Sequence, residues 1–425
     1  MKKLYIIGLT LLFPFLGMAQ DFTITGQLKP RFEGRQGFKT LRPADENLDV
    51  PSNFVSQRSR LSFLYASKEN KLRVGLSVQD VRTWGATKQL VIGDANNLGL
   101  HEAWAEILFT PEFSLKAGRQ ELVYDDARIL GNVDWAQQGR SHDLALFKYE
   151  NNFKLHAGIA TNAAREGLYK SAFEVSNYKA MQFLWFNKKW EQLNLSVMLL
   201  NNGVEFSEVA TPTPADLQTV YAQLYGSRLE YRNGTLAVNA AAYYQGGKNN
   251  LNQTLKAYNA LGEVFLTVGK GVKVMVGTEL LSGTDMDAED GISRSFTPFY
   301  GTNHKFNGLM DYFYVGNHAN SVGLADHYAG VSYKKDKFGA NLRAHVFNSM
   351  GNIVTEATDY DKNLGTEIDL TAKYQLTKEV GFQAGYSVMS ATESMEVLKG
   401  GDHTKLNHWG WAMIVIKPTF FTTKK

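Results

Sequence analysis

The chain has 425 residues, of which 44% are hydrophobic and 20% charged; it is too apolar for a disordered chain and too polar for a bundle of membrane helices. It carries 25 Phe, 20 Tyr and 7 Trp but only 9 Pro and no Cys, a balance that suits a large β structure not held by disulfides. The formal net charge of +3 offers no bulk attraction to nucleic acid.

Lys2 and Lys3 precede an apolar run from Leu4 to Leu16, and Gly17, Met18 and Ala19 supply small residues before Gln20. This predicts a cleaved secretory signal over residues 1–19 and one β-barrel domain over residues 20–425. The apolar run contains Pro14 and falls short of the roughly 20 residues that a spanning helix needs. Without residues 1–19 the net charge falls to +1, because two lysines and no acids are lost. No Cys follows the cut, so a lipid-anchored form is not expected.

No later stretch reads as a membrane helix. What recurs is period-two alternation over strand-length segments, as in strands whose two faces meet different solvents. Thr23, Thr25, Gln27, Lys29, Arg31, Glu33 and Arg35 alternate with Phe22, Ile24, Leu28 and Phe32. Leucines and valines from Leu193 to Leu199 and from Val272 to Val276 repeat the pattern, the latter against Lys273 and Glu279. Ile368, Leu370, Ala372 and Tyr374 do so against Glu367, Asp369, Thr371 and Lys373.

Connections alternate between short polar turns and long polar loops. Short turns are expected near 68–70, 110–112, 150–152, 187–191, 232–234, 269–271, 335–337 and 377–379, with Asn233-Gly234 the sharpest hairpin cue. Long loops are expected near 36–53, 85–98, 122–140, 163–176, 203–216, 247–254, 284–323, 349–363 and 393–405. Nine loops and eight turns join eighteen strands, which predicts an all-β fold: a transmembrane antiparallel barrel with short periplasmic turns and long extracellular loops. A soluble β-sandwich would also alternate, but it does not place large aromatics at strand ends. Trp84, Trp190, Trp409 and Trp411 occupy the places expected of an interfacial girdle. The final strand, about Trp409 to Phe420, ends in aromatic residues.

An eighteen-strand wall encloses a lumen that its own side chains cannot fill. Candidate wall residues on the polar parity are Arg31, Arg35, Arg58, Arg60, Arg73, Arg228, Arg232 and Arg343. Inward arginines favour anions, and the competing reading of each is an Arg–acid brace of the wall. The segment Gly118–Asp143 is too dense in Arg, Asp, Gln and Trp for lipid contact, so its loop is expected to fold inward and constrict the pore.

That segment, with Gln57-Arg-Ser-Arg-Leu61, Ser77-Val-Gln-Asp-Val-Arg-Thr-Trp-Gly85 and Lys305-Phe-Asn-Gly-Leu-Met-Asp-Tyr-Phe-Tyr-Val315, resembles the alginate-export family of outer-membrane porins. The resemblance is densest in the first third of the chain. It implies an eighteen-stranded monomer whose arginine-lined constriction passes an anionic polyuronate or a related solute. Within the matching phrases the implied constriction residues are Arg58, Arg60, Arg73, Asp80, Arg82, Arg119, Gln120, Arg128, Arg140, Asp143 and Asp311, to which parity adds Arg343.

Other constellations carry less. Ser141-His142-Asp143 lists triad residue types, but strand neighbours point to opposite faces. Asp285, Asp287 and Glu289 resemble half of a calcium loop, yet the sixth position is Asp290 and the twelfth Phe296, which fails the EF-hand pattern. Loop-bound calcium is therefore a minor expectation, and otherwise no cofactor and no enzyme activity are expected. The expected partners are outer-membrane lipid and lipopolysaccharide and an anionic solute. The alternative to a channel is a plugged barrel serving an outer-membrane assembly or export complex, with the 284–323 loop as its partner surface. Whether 308–315 pairs as a strand or lies in the lumen is left open by the sequence.

Overall fold

In a bilayer no water reaches the backbone, so a sheet can cross only if it closes on itself. The computed structural model describes residues 20–90, 98–173, 177–356 and 358–424; the expected leader over 1–19 lies outside the described residues. Eighteen antiparallel strands form the wall: β1 (Asp21–Gln36), β2 (Ser52–Ala66), β3 (Leu72–Thr83), β4 (Leu98–Leu108), β5 (Phe113–Gln120), β6 (His142–Glu150), β7 (Lys154–Thr161), β8 (Ala180–Lys189) and β9 (Leu193–Phe206). The second half comprises β10 (Gln218–Asn233), β11 (Leu236–Gly247), β12 (Ala257–Gly269), β13 (Val272–Leu281), β14 (Leu324–Lys335), β15 (Phe338–Asn348), β16 (Asn363–Gln375), β17 (Val380–Ala391) and β18 (Asn407–Ile416). Each strand pairs with its neighbours in sequence, and β18 returns to β1 through pairs from Leu28↔Ile416 to Gln36↔His408.

The seam has one interruption. Lys417-Pro418 breaks β18, because proline has no N–H for the ladder. The strand resumes at Thr419–Thr422, where Thr23 faces Thr422, and Gly26 N–H donates to Pro418 O across the break at 2.9 Å. Gly26 is needed here, since a Cβ would lie 2.5 Å from the Phe420 ring.

Alternation is expressed as an inside-out protein. On β1 the buried side chains are Lys29, Arg31 and Glu33, while Leu28 and Phe32 are exposed. The same inversion gives the outward row Val238, Val264 and Val276, opposed across three strands. Outward aromatics gather toward the strand ends: Tyr225, Tyr244 and Tyr258 lie side by side on the loop side, and Phe338, Tyr374 and Phe382 on the turn side. Trp84 and Trp190 are exposed as a girdle requires. Trp409 and Trp411 are not girdle residues. They share inward parity with Met413, are 0% and 7% exposed, and the Trp409 indole N–H donates to Glu33 at 3.1 Å.

The eight turns and nine loops fall where alternation of connection length places them, and Gly234 sits in its turn with φ of 48°. Segment 308–315 is not a wall strand. It crosses the lumen, where Met310 and Tyr312 are completely buried. The apolar core is therefore made inside the barrel by loop residues such as Leu122, Leu130, Phe296, Met310 and Tyr312 against inward wall residues such as Leu224, Phe347 and Trp409.

A charge placed on the outward valine row should be resisted by lipid. Val276→Arg is expected to cost about 2–4 kcal/mol of barrel stability, read by denaturant unfolding in lipid vesicles. Val276→Leu should leave the midpoint nearly unchanged.

Candidate functional site

The loop joining β5 to β6, residues 121–141, and the loop joining β13 to β14, residues 282–323, both enter the lumen and pair with each other. Tyr300 N–H donates to Ile129 O (3.0 Å), Gly131 N–H to Tyr300 O (2.9 Å) and Thr302 N–H to Ala127 O (2.8 Å), forming a short parallel bridge. Gly301 permits this approach, since a Cβ there would lie 2.1 Å from the Arg128 carbonyl oxygen. Arg140 adds a bond from its guanidinium to Gly301 O at 2.8 Å. Burial lowers the Arg140 pKa below the usual guanidinium value, with Tyr300 nearby acting in the opposite sense.

The paired loops are fastened to the wall by charge. Arg128 binds Glu279 of β13 at 2.7 Å and Asn307 at 2.8 Å, and Asn307 in turn donates to Glu279 at 2.9 Å. Arg58 meets Asp134 at 2.5 Å, and Lys29 lies 3.6 Å from the same carboxylate. Partial burial alone would raise the Asp134 carboxyl, but Lys29 and Arg58 outweigh it and hold it at about 2. Arg31 lies over the Trp135 ring at 3.9 Å, while His304 stacks on that ring at a centroid distance of 3.9 Å. Arg228 pairs with Asp126 at 2.7 Å.

Of the residues expected at a constriction, the structure brings Arg58, Arg128, Arg140 and Asp311 into this assembly, with Asp311 3.2 Å from His304, while Gln120 is buried on the wall and donates to backbone carbonyls of β5 and β6. Arg60 faces inward with Gln79 and Glu121, and Arg73 braces Glu106 at 3.6 Å near the short turns. Four others do not line the pore. Asp80 and Arg82, one and three positions beyond buried Gln79, take the opposite parity, share a face with Leu28 and Ser59, and bind each other at 2.6 Å. Arg119 and Asp143 are directly opposed across β5 and β6 on the outer face, 2.7 Å apart, because Gln120 and His142 take the inward positions. The physical reason is common to both pairs: near the loop-side rim, outward residues need not be apolar, so polarity no longer reports the face.

Ser141, His142 and Asp143 are dispersed by the same alternation. His142 is buried against Tyr178 (3.1 Å), Asp143 faces out, and Ser141 contacts His101 (3.3 Å), which binds Glu121 at 2.7 Å among the loop braces. Asp285 accepts the Asn352 N–H at 2.7 Å and joins two loops, while Asp287 and Glu289 are exposed. Among the described residues they do not gather with Asp285 as a ligand set; the grouped donors are Glu396, Asp402 and His403 in the loop before β18.

Below the loops, toward the short turns, a cavity of about 720 Å³ is lined by Lys273, Lys334, Lys373, Arg343, Trp411 and the underside of Gly308-Leu309. Among the described residues, no carboxylate pairs with Lys273, Lys334, Lys373 or Arg343. The inward arginines at 31, 58, 128 and 228 are spent on acids; these four cations are not. The lysines lie on the wet face of the alternation, and the signal that singles them out is cross-strand: the 336–337 turn sets Lys334 opposite Gly339, and Gly339 opposite Lys373. Above the loops a smaller pocket, about 200 Å³, is bounded by Ser295, Thr297, Phe299, Tyr300 and Asn320.

The sequence over residues 21–167 matches the alginate export family. No functionally curated protein matches the chain. Among solved structures the fold is similar to OccK9 (OpdG) of Pseudomonas aeruginosa, at 12% identity and a TM-score of 0.64, covering 94% of this chain and 98% of that one. It is also similar to a BenF-like porin from Pseudomonas fluorescens Pf-5 (11%, TM-score 0.62, 94% and 99%) and to Pseudomonas aeruginosa OpdK with vanillate (11%, 0.61, 93% and 99%). Closed wall, inward loops and family pattern agree: over residues 21–167 the chain carries the alginate-export sequence pattern, and as a whole it is a bacterial outer-membrane β-barrel with the porin fold.

Proposed function

We propose that the protein is a channel for selective diffusion of anionic solutes across the outer membrane, and that its selectivity resides in the turn-side cavity rather than in an arginine ring. The observation that carries this reading is the contrast between paired and unpaired cations. Arginines that meet the inward loops are neutralised by Glu33, Asp134, Glu279 and Asp126 and act as braces. Lys273, Lys334, Lys373 and Arg343 keep their charge available to the cavity. Low-dielectric walls focus such a field and raise the local concentration of anions, while release stays fast because lysine ammonium groups bind as mobile point charges.

A volume of about 720 Å³ suits a small organic anion or a short stretch of an anionic chain. The inward loops also give the plugged-barrel reading a specific basis. The partner surface assigned to it, the 284–323 loop, is largely inside the lumen, with Phe296, Met310, Tyr312 and Val315 buried, so the loops fit a gate better than a docking face.

Single-channel recording in a planar bilayer under a tenfold salt gradient tests the selectivity. The wild-type reversal potential should lie on the anion side, and the combined Lys273→Gln, Lys334→Gln and Lys373→Gln variant should move it toward zero. Arg119→Ala, which alters the outer face, should not shift it; equal shifts in both variants would overturn the cavity assignment.

Arg128→Ala leaves Glu279 buried without its cation, which costs about 3–5 kcal/mol, and it loosens the loops rather than the wall. The expected result is higher mean conductance with unchanged heat-modifiable migration.

The Asp134 clamp has a defined pH window. Its folded carboxyl pKa of about 2 lies below the ordinary value of about 4, so its contribution is complete above about pH 4 and is lost as pH falls toward 2. Conductance should therefore rise as pH falls from about 4 toward 2, where the Asp134 carboxylate takes up a proton.

A further inference from the structure

The cavity below the loops and the pocket above them are separated by one stretch of chain. Ser295, Thr297, Phe299 and Tyr300 bound the upper pocket, and His304, Lys305, Gly308 and Leu309, a few residues on, roof the lower cavity. A path through the barrel on this flank requires that stretch to move, so what holds it matters.

Its hold on the wall is an unusual one. The N–H groups of Leu309 and Met310 both donate to one oxygen of Glu367 on β16, at 2.5 and 2.8 Å. Asn307 and Gly308 are left-handed, with φ of 58° and 82°. Consecutive N–H groups in such a turn form a concave anion-binding nest. A Cβ on Gly308 would fall 2.6–2.7 Å from the Glu367 carboxyl atoms, so the carboxylate sits directly against the bare glycine. The nest is thus occupied by a side chain of the protein itself.

That occupant is poorly provided for. The second Glu367 oxygen is buried beside the Asp369 carboxyl and receives no N–H donor of its own. Asp369, two residues along the same inward face, lines the cavity, and its second oxygen lies 3.7 Å from His345 Nε2 and beside Glu367. Asp326 and Glu279 crowd the same region through Asn307; Arg128 and His345 face them, and Arg343 stands opposite Asp369 in the ladder. Burying two carboxyl groups side by side among further acids is costly, whereas the two backbone donors can also serve a carboxylate that arrives from the cavity.

Building on the channel reading above, we infer that Glu367 is the latch of an inner gate, occupying an anion-binding nest at Gly308–Met310 that a carboxylate solute from the cavity can take over. The unpaired lysines and Arg343 deliver the solute carboxylate to the underside of Gly308-Leu309. Exchange frees the segment from β16, and the lower cavity and upper pocket become continuous. The ligand class is a carboxylate, whose oxygen accepts both N–H groups as Glu367 does.

The test compares openings of single channels in potassium chloride and in potassium acetate at equal ionic strength, for wild type, Glu367→Ala and Glu367→Gln. Wild type should open more often in acetate than in chloride, by about tenfold, the factor that corresponds to a net gain of one hydrogen bond that chloride does not reproduce. Glu367→Ala should open often in both salts. Glu367→Gln preserves the side-chain shape without the charge and guards against misfolding, which heat-modifiable migration reports; it too should lose the dependence on acetate. Openings indifferent both to acetate and to Glu367 would overturn the latch. Reversal potentials from the same records separate this from the channel reading, since a latch can regulate a barrel that proves unselective, and an anion-selective barrel can lack a latch.

Discussion

The structure depends on one constraint, that lipid offers no hydrogen bonds to a polypeptide backbone. A closed antiparallel ladder answers it, and closure then dictates the remainder. Period-two side chains must put apolar groups outward and polar groups inward, which is why Lys29, Arg31 and Glu33 are buried while Leu28 and Phe32 are exposed. Eighteen strands make the enclosed space wider than their own side chains can fill, and two loops enter to occupy it.

Filling a polar lumen with loop backbone creates a second problem, since buried backbone and charged groups must find partners. The loops solve part of it with each other, through the bridge at Leu130 and Tyr300, and the rest with the wall. This explains the division of labour among the cations. Arginines with planar, multi-donor heads hold loop carboxylates and carbonyls, as Arg31 and Arg58 do at Trp135 and Asp134. The lysines sit lower, where no loop reaches them, and remain free to act on a solute.

Much of the fold was legible in the sequence because alternation and connection length are local signals. Asn233-Gly234 marks its turn, and the spacing of turns and loops yields eighteen strands. The lumen was legible only in part. Inward folding of the 122–140 loop follows from its polarity, but parity fails at the rim, where Asp80, Arg82, Arg119 and Asp143 are polar and yet face out. Trp409 and Trp411 mislead for the converse reason: aromatic residues near a strand end suit a girdle, and only a lumen filled by Trp135 and His304 gives them an inward partner. The role of Glu367 was out of reach, because its partners are backbone groups more than fifty residues away.

The bond from Arg128 to Asn307 spans 179 positions, and the bridge beside it joins the same two loops. Both join loops that leave the same rim, one after Gln120 and the other after Leu281, with eight strands between them. Loop-closure entropy makes so distant a contact a late one. Apart from the seam, the contacts that close the wall pair neighbours in sequence, whereas those that seal the lumen join loops far apart in it. The two sets are separable: loosening the seal would widen the lumen and leave every ladder bond of the wall in place.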